Sequence, residues 1–507
     1  MPSKLTSVEL HGLEGFLVEI EVDKRAGRPI FAIVGLPDPA VQEARERVTS
    51  AIKNSDFAFP RGKVIVNLAP ADLKKAGPRY DLPMALGILG LMKYIPAKAF
   101  RETIVIGELA LNGQVRPING VLSSVEFAKK QGFKKVVLPK ENAAEAALIP
   151  NMKIIPVGNL KEAVMHLNNA LSALTIRLPK TKEECIVETN MATIRGQSQA
   201  KRALEIAAAG GHNILLYGAP GAGKTLMARA LRGILPSMSL DEMLEVSKVY
   251  SVAGLLPKHQ PLITQRPFRT IHHTASAMSI VGGGNMLGPG EISLAHRGVL
   301  FMDEIAEFPR GVLEVLRQPM EDRIITVSRV RGTCTYPCQF TLVAAMNPCP
   351  CGYRNIENAK QTCTCSAIDV QRYEKKLSGP LLDRMDMFIS ISPVDYSKLT
   401  ARTEAESSDT VRKRVEKASH LQRKRLKKRS AQCNAEMKND DIEKFCPLPK
   451  EAKQLLATAM DQMNLSARGY FKIIKLARTI ADLDEAKEVT SAHVAEALQY
   501  RTKILGS

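Results

Sequence analysis

Tryptophan is absent from the 507 residues, and aromatic side chains of all kinds supply only 5% of them. Apolar residues still make up 45%, so the core is built mainly from aliphatic side chains. The length accommodates about two to four domains. The N-terminus MPSKLTSVEL lacks the apolar core of a secretory leader. The longest apolar stretch, Leu82–Met92, is too short and too rich in Gly and Pro to span a bilayer. A cytoplasmic protein with no membrane partner is therefore expected. Acidic residues are in deficit: 52 Asp and Glu face 71 Lys and Arg, a formal net charge of +19. That excess favours an anionic polymer as partner, nucleic acid first. In a reducing compartment, nine cysteines suggest thiols or bound metal rather than disulfides.

What is present centres on Tyr217–Leu226, YGAPGAGKTL. Gly218, Gly223, Lys224 and Thr225 fit G-x-x-x-x-G-K-[ST], a phosphate-binding loop for ATP. Backbone N–H groups wrap a polyphosphate only where side chains do not block it, hence the glycines. The cradle runs through Ala219, Pro220, Gly221 and Ala222. Lys224 is expected to neutralise the β- and γ-phosphates, and the Thr225 hydroxyl to ligate Mg²⁺. His212–Tyr217 reads as the preceding strand and Thr225–Leu235 as the following helix, its N-terminus facing the phosphates. About eighty residues on, Gly298–Glu304 (GVLFMDE) is an apolar strand ending in two acids. Asp303 would hold Mg²⁺ and Glu304 would act as general base towards water. The bland alternative is a pair of acids capping the next helix. Thr341–Asn347 is a further strand, and Asn347 at its end could orient that water.

The first 170 residues read as an α/β unit. Strands are expected at Leu17–Val22, Ile30–Val34, Lys63–Leu68 and Thr103–Ile106, and amphipathic helices at Pro39–Asn54 and Leu122–Gln131. Leu68–Leu89, Gly107–Gly120 and Gly132–Asn142 resemble the peptidase domain of Lon proteases. In that family a Ser follows the Gly-Pro pair and a Lys follows the later Gly-Gly-Leu. Here Arg79 follows Gly77-Pro78, and Leu122 follows Asn119-Gly120-Val121. The resemblance thus implies the fold without the nucleophile and its base. Ser123 and Ser124 match neither position. The domain reads as a ring-forming or partner-binding platform.

Residues 171–190 read as a linker, 191–395 as the nucleotide-binding domain and 396–507 as a helical lid. Ile194–Ala203 resembles the entry helix of AAA+ ATPases. Arg266–Arg297 reads as a mobile Gly-rich loop with an adjacent pair, His272 and His273. That string, followed by GVLFMDE, resembles the Mg-chelatase-like AAA+ family. The resemblance covers nearly the whole chain. The fold class expected is therefore α/β: an AAA+ P-loop domain with a helical lid, preceded by an α/β Lon-protease-like domain.

Cys349 and Cys351, then Cys363 and Cys365, form two close pairs able to close a structural Zn²⁺ site. Four reduced thiols in a polar loop are the alternative. Arg384, in GPLLDRMD, matches the family's arginine that reaches the γ-phosphate on a neighbouring subunit. A surface pair with Asp383 or Asp386 is its bland alternative. Val411–Ser430 holds ten Lys and Arg against one acid, dense enough for phosphate contact or simply a solvated helix face. Arg468, in SARG, matches a lid arginine that contacts nucleotide phosphates, with Arg478 the fallback. Finally, within Arg323–Thr335 the stretch Arg323–Arg331 alternates in polarity, and Arg331-Gly332 permits a turn, with Cys338–Val343 as the returning strand. It reads as a β-hairpin with Arg329 and Arg331 near its tip, placed either to grip DNA phosphates or to keep an edge strand soluble.

The branch of the family with this domain order implies a ring-shaped, hexameric, ATP-driven helicase acting on single-stranded and branched DNA. It would promote branch migration as donor DNA is integrated in natural transformation. A chelatase-type motor subunit acting on a partner protein, or a regulatory ATPase that serves as scaffold, are the alternatives.

Overall fold

The computed structural model describes residues 2–170, 189–257, 260–284, 287–329, 332–354, 362–392, 406–429, 431–463 and 465–501. The expected linker lies almost wholly outside the described residues.

The N-terminal unit is one mixed sheet covered by helices. Its main elements are β1 (Ser3–His11), β2 (Glu14–Arg25), β3 (Ile30–Val34), α1 (Pro39–Asn54), β4 (Lys63–Ala69), α2 (Asp81–Leu91), β5 (Thr103–Val105), α3 (Val121–Lys130), β6 (Lys135–Pro139), β7 (Lys153–Val157) and α4 (Leu160–Leu167). The strand order is β3-β4-β2-β1-β5-β6-β7. Strand β2 is antiparallel to β1 and β4, and the other pairings are parallel. Along β2 the alternation buries Val18, Ile20 and Val22. Helix α1 starts where the Asp38 carboxylate accepts from the Val41 amide at 2.9 Å. Helix α2 is apolar on every side and lies inside the core, as such helices must. Its Gly87 permits close approach: a Cβ there would stand 2.7 Å from Val22 and 2.9 Å from Leu5.

The second unit contains α5 (Ser198–Gly210), β8 (Ile214–Gly218), α6 (Lys224–Ile234), α7 (Leu240–Val252), β9 (Phe268–Ile271), β10 (Val299–Met302), α8 (Arg317–Asp322), β11 (Ile324–Arg329), β12 (Gly332–Pro337), β13 (Thr341–Met346) and β14 (Met387–Ile391). Five strands form a fully parallel sheet in the order β9-β10-β13-β8-β14. Strands β10, β13 and β8 are near-continuous apolar runs, as burial on both faces demands. Strand β13 therefore stands between the phosphate-loop strand and the acid-bearing strand.

Helices α9 (Ser408–Leu426), α10 (Lys450–Met463), α11 (Ala467–Leu483) and α12 (Ser491–Gln499) form the lid. A buried polar knot ties it together. Asp482 accepts from Arg478 at 2.8 Å, from Asn434 at 2.8 Å and from Arg425. Arg478 also donates to the carbonyls of Ala486 and Lys487, so the fallback arginine is a structural strut. About half of the dense basic run is held in ion pairs within the chain, some of them at the surface. Arg414 pairs with Glu205 and Glu406, Lys417 with Glu485, Arg423 with Glu242 and Arg429 with Asp441. Lys413, Lys424, Lys427 and Lys428 remain exposed.

The two units meet through α3 and α7. The Gly120 amide donates to the Ser251 carbonyl at 3.1 Å, and Lys248 pairs with Glu126 at 2.7 Å. The buried Glu145 carboxylate accepts from the Leu122 amide at 2.8 Å and from the Ser251 hydroxyl.

Candidate functional site

The C-terminal ends of β8, β10 and β13 bring one set of polar groups together. After β8 the chain turns through Gly221 (φ 77°) and Gly223 (φ 91°), left-handed positions that favour glycine, and enters α6 at Lys224. Lys224 Nζ is buried and donates to the carbonyls of Gly218 (2.7 Å) and Ala219 (2.8 Å) and to Asn347 Oδ1 (2.9 Å). Burial lowers its pKa, opposed by Asp303 and Glu304. Thr225 Oγ1 donates to Asp303 Oδ2 at 2.9 Å. Glu304 follows in a left-handed conformation (φ 50°), its amide donating to Asp303 Oδ1 at 3.0 Å. Five predicted residues from three strand ends thus share one hydrogen-bonded cluster. Its donor set fits a Mg²⁺–triphosphate: one hydroxyl and one carboxylate for the cation, an ammonium and loop amides for the anion.

His273 joins this cluster although no motif or spacing pointed there. Its Nδ1 lies 3.7 Å from Glu304 Oε2, and its ring lies tilted against His272 with centroids 4.2 Å apart. The one available signal was position, since the pair directly follows β9, which neighbours the acid strand. His212 does the opposite. It is buried, 2.8 Å from the Thr479 hydroxyl and 3.8 Å from Asp386, and it locks sheet to lid.

Arg384 and Arg468 stand elsewhere. Strands β8 and β14 run parallel, Ile214 beside Met387 and Gly218 beside Ile391. The phosphate loop leaves the C-terminal end of that pair, while Arg384 lies just before its N-terminal end. Five residues at about 3.3 Å each separate the two by roughly 16 Å. Arg384 Nη1 donates to the Pro380 carbonyl at 2.7 Å, and its Nη2 meets Glu321 at 2.7 Å. Neither Asp383 nor Asp386 is its partner: Asp386 instead pairs with Lys472 at 2.8 Å. Arg468, at the first turn of α11, meets the same Glu321 oxygen at 3.0 Å.

Comparison with known proteins fits this arrangement. Models of magnesium chelatase subunit ChlI match residues 190–399 and 20–142, and a model of its C-terminal part matches residues 405–501. Competence protein ComM of Haemophilus influenzae is 40% identical over 501 residues, which covers 97% of this chain and 96% of that protein. The uncharacterized protein YifB of Escherichia coli is 41% identical over 486 residues, covering 96% of this chain and 94% of that protein. The chain belongs to this Mg-chelatase-like AAA+ family. Lon protease of Azorhizobium caulinodans is similar over a shorter stretch, 29% identical over 164 residues, 30% of this chain and 19% of that protein.

In this Mg-chelatase-like chain the Gly-rich insert is more ordered than a mobile loop. Ser276 caps a helix, Ala277–Val281, whose Ile280 is buried, and Gly282–Gly283 pairs with Gly288–Pro289. The predicted hairpin is formed by β11 and β12, with Arg329 opposite Gly332. Its return strand is Gly332–Pro337; the strand expected from Cys338 starts only at Thr341 and joins the main sheet. Ile325, Val327, Cys334 and Tyr336 anchor the hairpin, and the Tyr336 hydroxyl donates to the Leu287 carbonyl at 2.7 Å. Arg329 is exposed at the tip beside Gly283. Arg331 lies outside the described residues.

The sulfurs of Cys349, Cys351, Cys363 and Cys365 all lie within 4.8 Å of one another. Separations of 3.2, 3.5 and 3.7 Å match the roughly 3.8 Å between thiolates on one tetrahedral zinc. A hydrogen bond from the Tyr353 amide and contact with Cys349 lower the Cys351 thiol to about 6, towards the ligating form. The cluster is next to the phosphate loop: Gly352 packs on the Pro220 ring, where a Cβ would stand 2.6 Å away.

The Lon-like position holds no nucleophile and base. Arg79 donates to the carbonyls of Val8 and Asn119, both at 3.2 Å, and Leu122 is buried. Ser124 donates to the Gly120 carbonyl at 2.9 Å, and the Ser123 hydroxyl is buried without a partner among the described residues.

Proposed function

We propose that this chain is one subunit of a ring-shaped, ATP-hydrolysing DNA motor that promotes branch migration when donor DNA is integrated during natural transformation. Lys224 would exchange its three oxygen acceptors for phosphate oxygens. Thr225 and Asp303 would hold the Mg²⁺, which when bound neutralises charge on the phosphates. Glu304 would take the proton of the attacking water, with Asn347 and His273 orienting the two. Arg384 and Arg468 sit too far from their own phosphate loop and would address a neighbour's, which makes the site complete only in an oligomer, a hexamer by family resemblance. Zn²⁺ in the four-cysteine cluster would be structural, since four thiolates leave no open position.

The observation that carries the DNA reading is the hairpin. It grows from the segment between β10 and β13, the strands bearing Glu304 and Asn347, and presents Arg329 at an exposed tip. Phosphate contacts from such a tip are independent of sequence and sensitive to salt. The similarity to a competence protein over nearly the full chain supports the same reading. The test is migration of a branched DNA junction with ATP against a non-hydrolysable analogue. Arg329→Ala with Arg331→Ala should keep basal ATPase, flatten the salt dependence of DNA affinity and lose junction migration. Unchanged migration and salt slope would leave the hairpin only an edge-protecting role.

A second reading, a chelatase-type motor acting on a partner protein, is favoured by the family models alone. ATPase stimulation by chelatase partner subunits but not by single-stranded or branched DNA would establish it.

A further inference from the structure

Glu321 has no role in the reading above, yet it is where the two remote arginines converge. It is the penultimate residue of α8, just ahead of the left-handed turn at Arg323 (φ 59°) from which the hairpin starts. One of its oxygens, Oε1, receives Arg384 Nη2 at 2.7 Å and Arg468 Nη2 at 3.0 Å. These arginines come from different elements, Arg384 from the segment before β14 and Arg468 from the lid. Two guanidiniums this close repel each other unless an anion sits between them. Arg384 is also poorly satisfied: its Nε is buried without a partner among the described residues. The group opens onto a cleft of about 800 Å³, of whose other cations Arg323 and Lys472 are already paired with Glu436 and Asp386.

We propose that Glu321 is a positioning residue for ATP hydrolysis on the neighbouring subunit. Its carboxylate holds Arg384 and Arg468 at the spacing at which both address one γ-phosphate. The inference rests on the trans reading of Arg384. A phosphate carries more charge and more acceptor oxygens than the carboxylate, so it takes over one or both guanidiniums when a neighbour docks. Glu321 assembles the pair beforehand, which spares the incoming phosphate the cost of bringing two like charges together. An ordinary half-exposed ion pair would instead contribute almost nothing.

The experiment compares ATP turnover of full-length Glu321→Ala, Glu321→Asp and Glu321→Gln, each checked for assembly with ATP by size-exclusion chromatography. Glu321→Ala should lower kcat on the order of tenfold, the scale of one lost charge-assisted contact, with little change in KM. Glu321→Asp should recover part of the loss. Should the alanine variant fail to assemble, Glu321→Gln keeps the shape, removes the charge and carries the same expectation. Mixing with Lys224→Ala subunits decides whether the effect is in trans. The Lys224→Ala subunit supplies an intact Glu321–Arg384–Arg468 group to the intact loop of the Glu321 variant, so turnover should rise. A structural defect within the variant subunit would not respond to mixing. Wild-type kcat for Glu321→Ala and Glu321→Gln, or no rescue in mixed rings, overturns the proposal. Arg384→Ala mixed in the same way keeps the two readings apart. Rescue of Arg384→Ala with a silent Glu321 sinks only the role of Glu321, whereas no rescue of Arg384→Ala sinks the trans site itself.

Discussion

The Lon-like position and the phosphate loop are both visible as strings in the sequence, yet only at the loop do the residue types that the family's chemistry uses stand together. At the loop, Lys224, Thr225, Asp303, Glu304 and Asn347 arrive from three strand ends and hydrogen-bond at 2.7–3.0 Å. In the N-terminal unit the glycines and apolar residues that shape the fold persist, while Arg79 and Leu122 fill the places of nucleophile and base. A fold rests on many apolar contacts and tolerates the loss of any polar group. A site rests on a few polar atoms and does not.

The comparison breaks first, and hardest, at Lys224. Lys224→Ala should abolish nucleotide binding in a fluorescent-nucleotide titration, because it removes the cation that the loop holds against the phosphates. Glu304→Gln should leave binding intact and lower turnover by about 10²–10⁴-fold, the usual worth of a general base. Turnover at the wild-type rate would remove Glu304 from the site.

The next effect is on stability. Asp386 is buried; although burial alone raises its pKa, Lys472 and then His212 hold it well below its ordinary value of 3.8. A carboxylate depressed in the folded state contributes stability above that ordinary value and loses the contribution as pH falls below it. Asp386→Asn leaves Lys472 buried without its counter-ion and should cost about 3–5 kcal/mol. Urea titrations at about pH 7 would read it, and at about pH 3.5, only just below the ordinary value, the gap between variant and wild type should narrow only slightly, because the native carboxylate is still ionised there.

Much of this was legible in advance, and the reasons for the rest are physical. The phosphate loop, the acid strand and the hairpin are local patterns whose meaning survives in isolation. Strands β1, β6 and β7 escaped because they are short or carry polar residues on one face, and tertiary pairing decided them. The ion pairs of the 411–430 run could not be foreseen, since Glu205, Glu242 and Glu485 lie far away in sequence. Glu321 was invisible for the same reason: nothing in RQPMEDR marks an acid that collects two distant arginines.

A smaller effect sharpens the contrast from the side of the loop. If the four cysteines hold zinc, purified protein should carry about one Zn²⁺ per chain, and replacing Cys349 and Cys351 with Ser should remove it. Because Gly352 rests on the Pro220 ring, the metal-free variant should also bind ATP on the order of tenfold more weakly, as one positioning contact is lost. Full zinc content after both replacements would place the metal elsewhere.

The smallest expected effect comes from trying to erase the contrast. Arg79→Ser with Leu122→Lys restores the residue types of the Lon dyad, and we expect no peptide hydrolysis from it, with or without ATP. The reason is access as much as chemistry. Gly120, next to that position, donates to the Ser251 carbonyl at 3.1 Å, and a Cβ on it would stand 3.5 Å from Val252. Helix α7 of the second unit therefore packs directly beside that position and leaves little room there for a peptide backbone. Leu122 is fully buried, so Leu122→Lys should lower the melting temperature of the N-terminal unit, because an ammonium buried without pairing is costly. The phosphate loop is untouched, so basal ATPase should stay within about twofold of wild type. Measurable cleavage of a fluorogenic peptide would mean that a peptide reaches this position and that the chemistry is only two substitutions away.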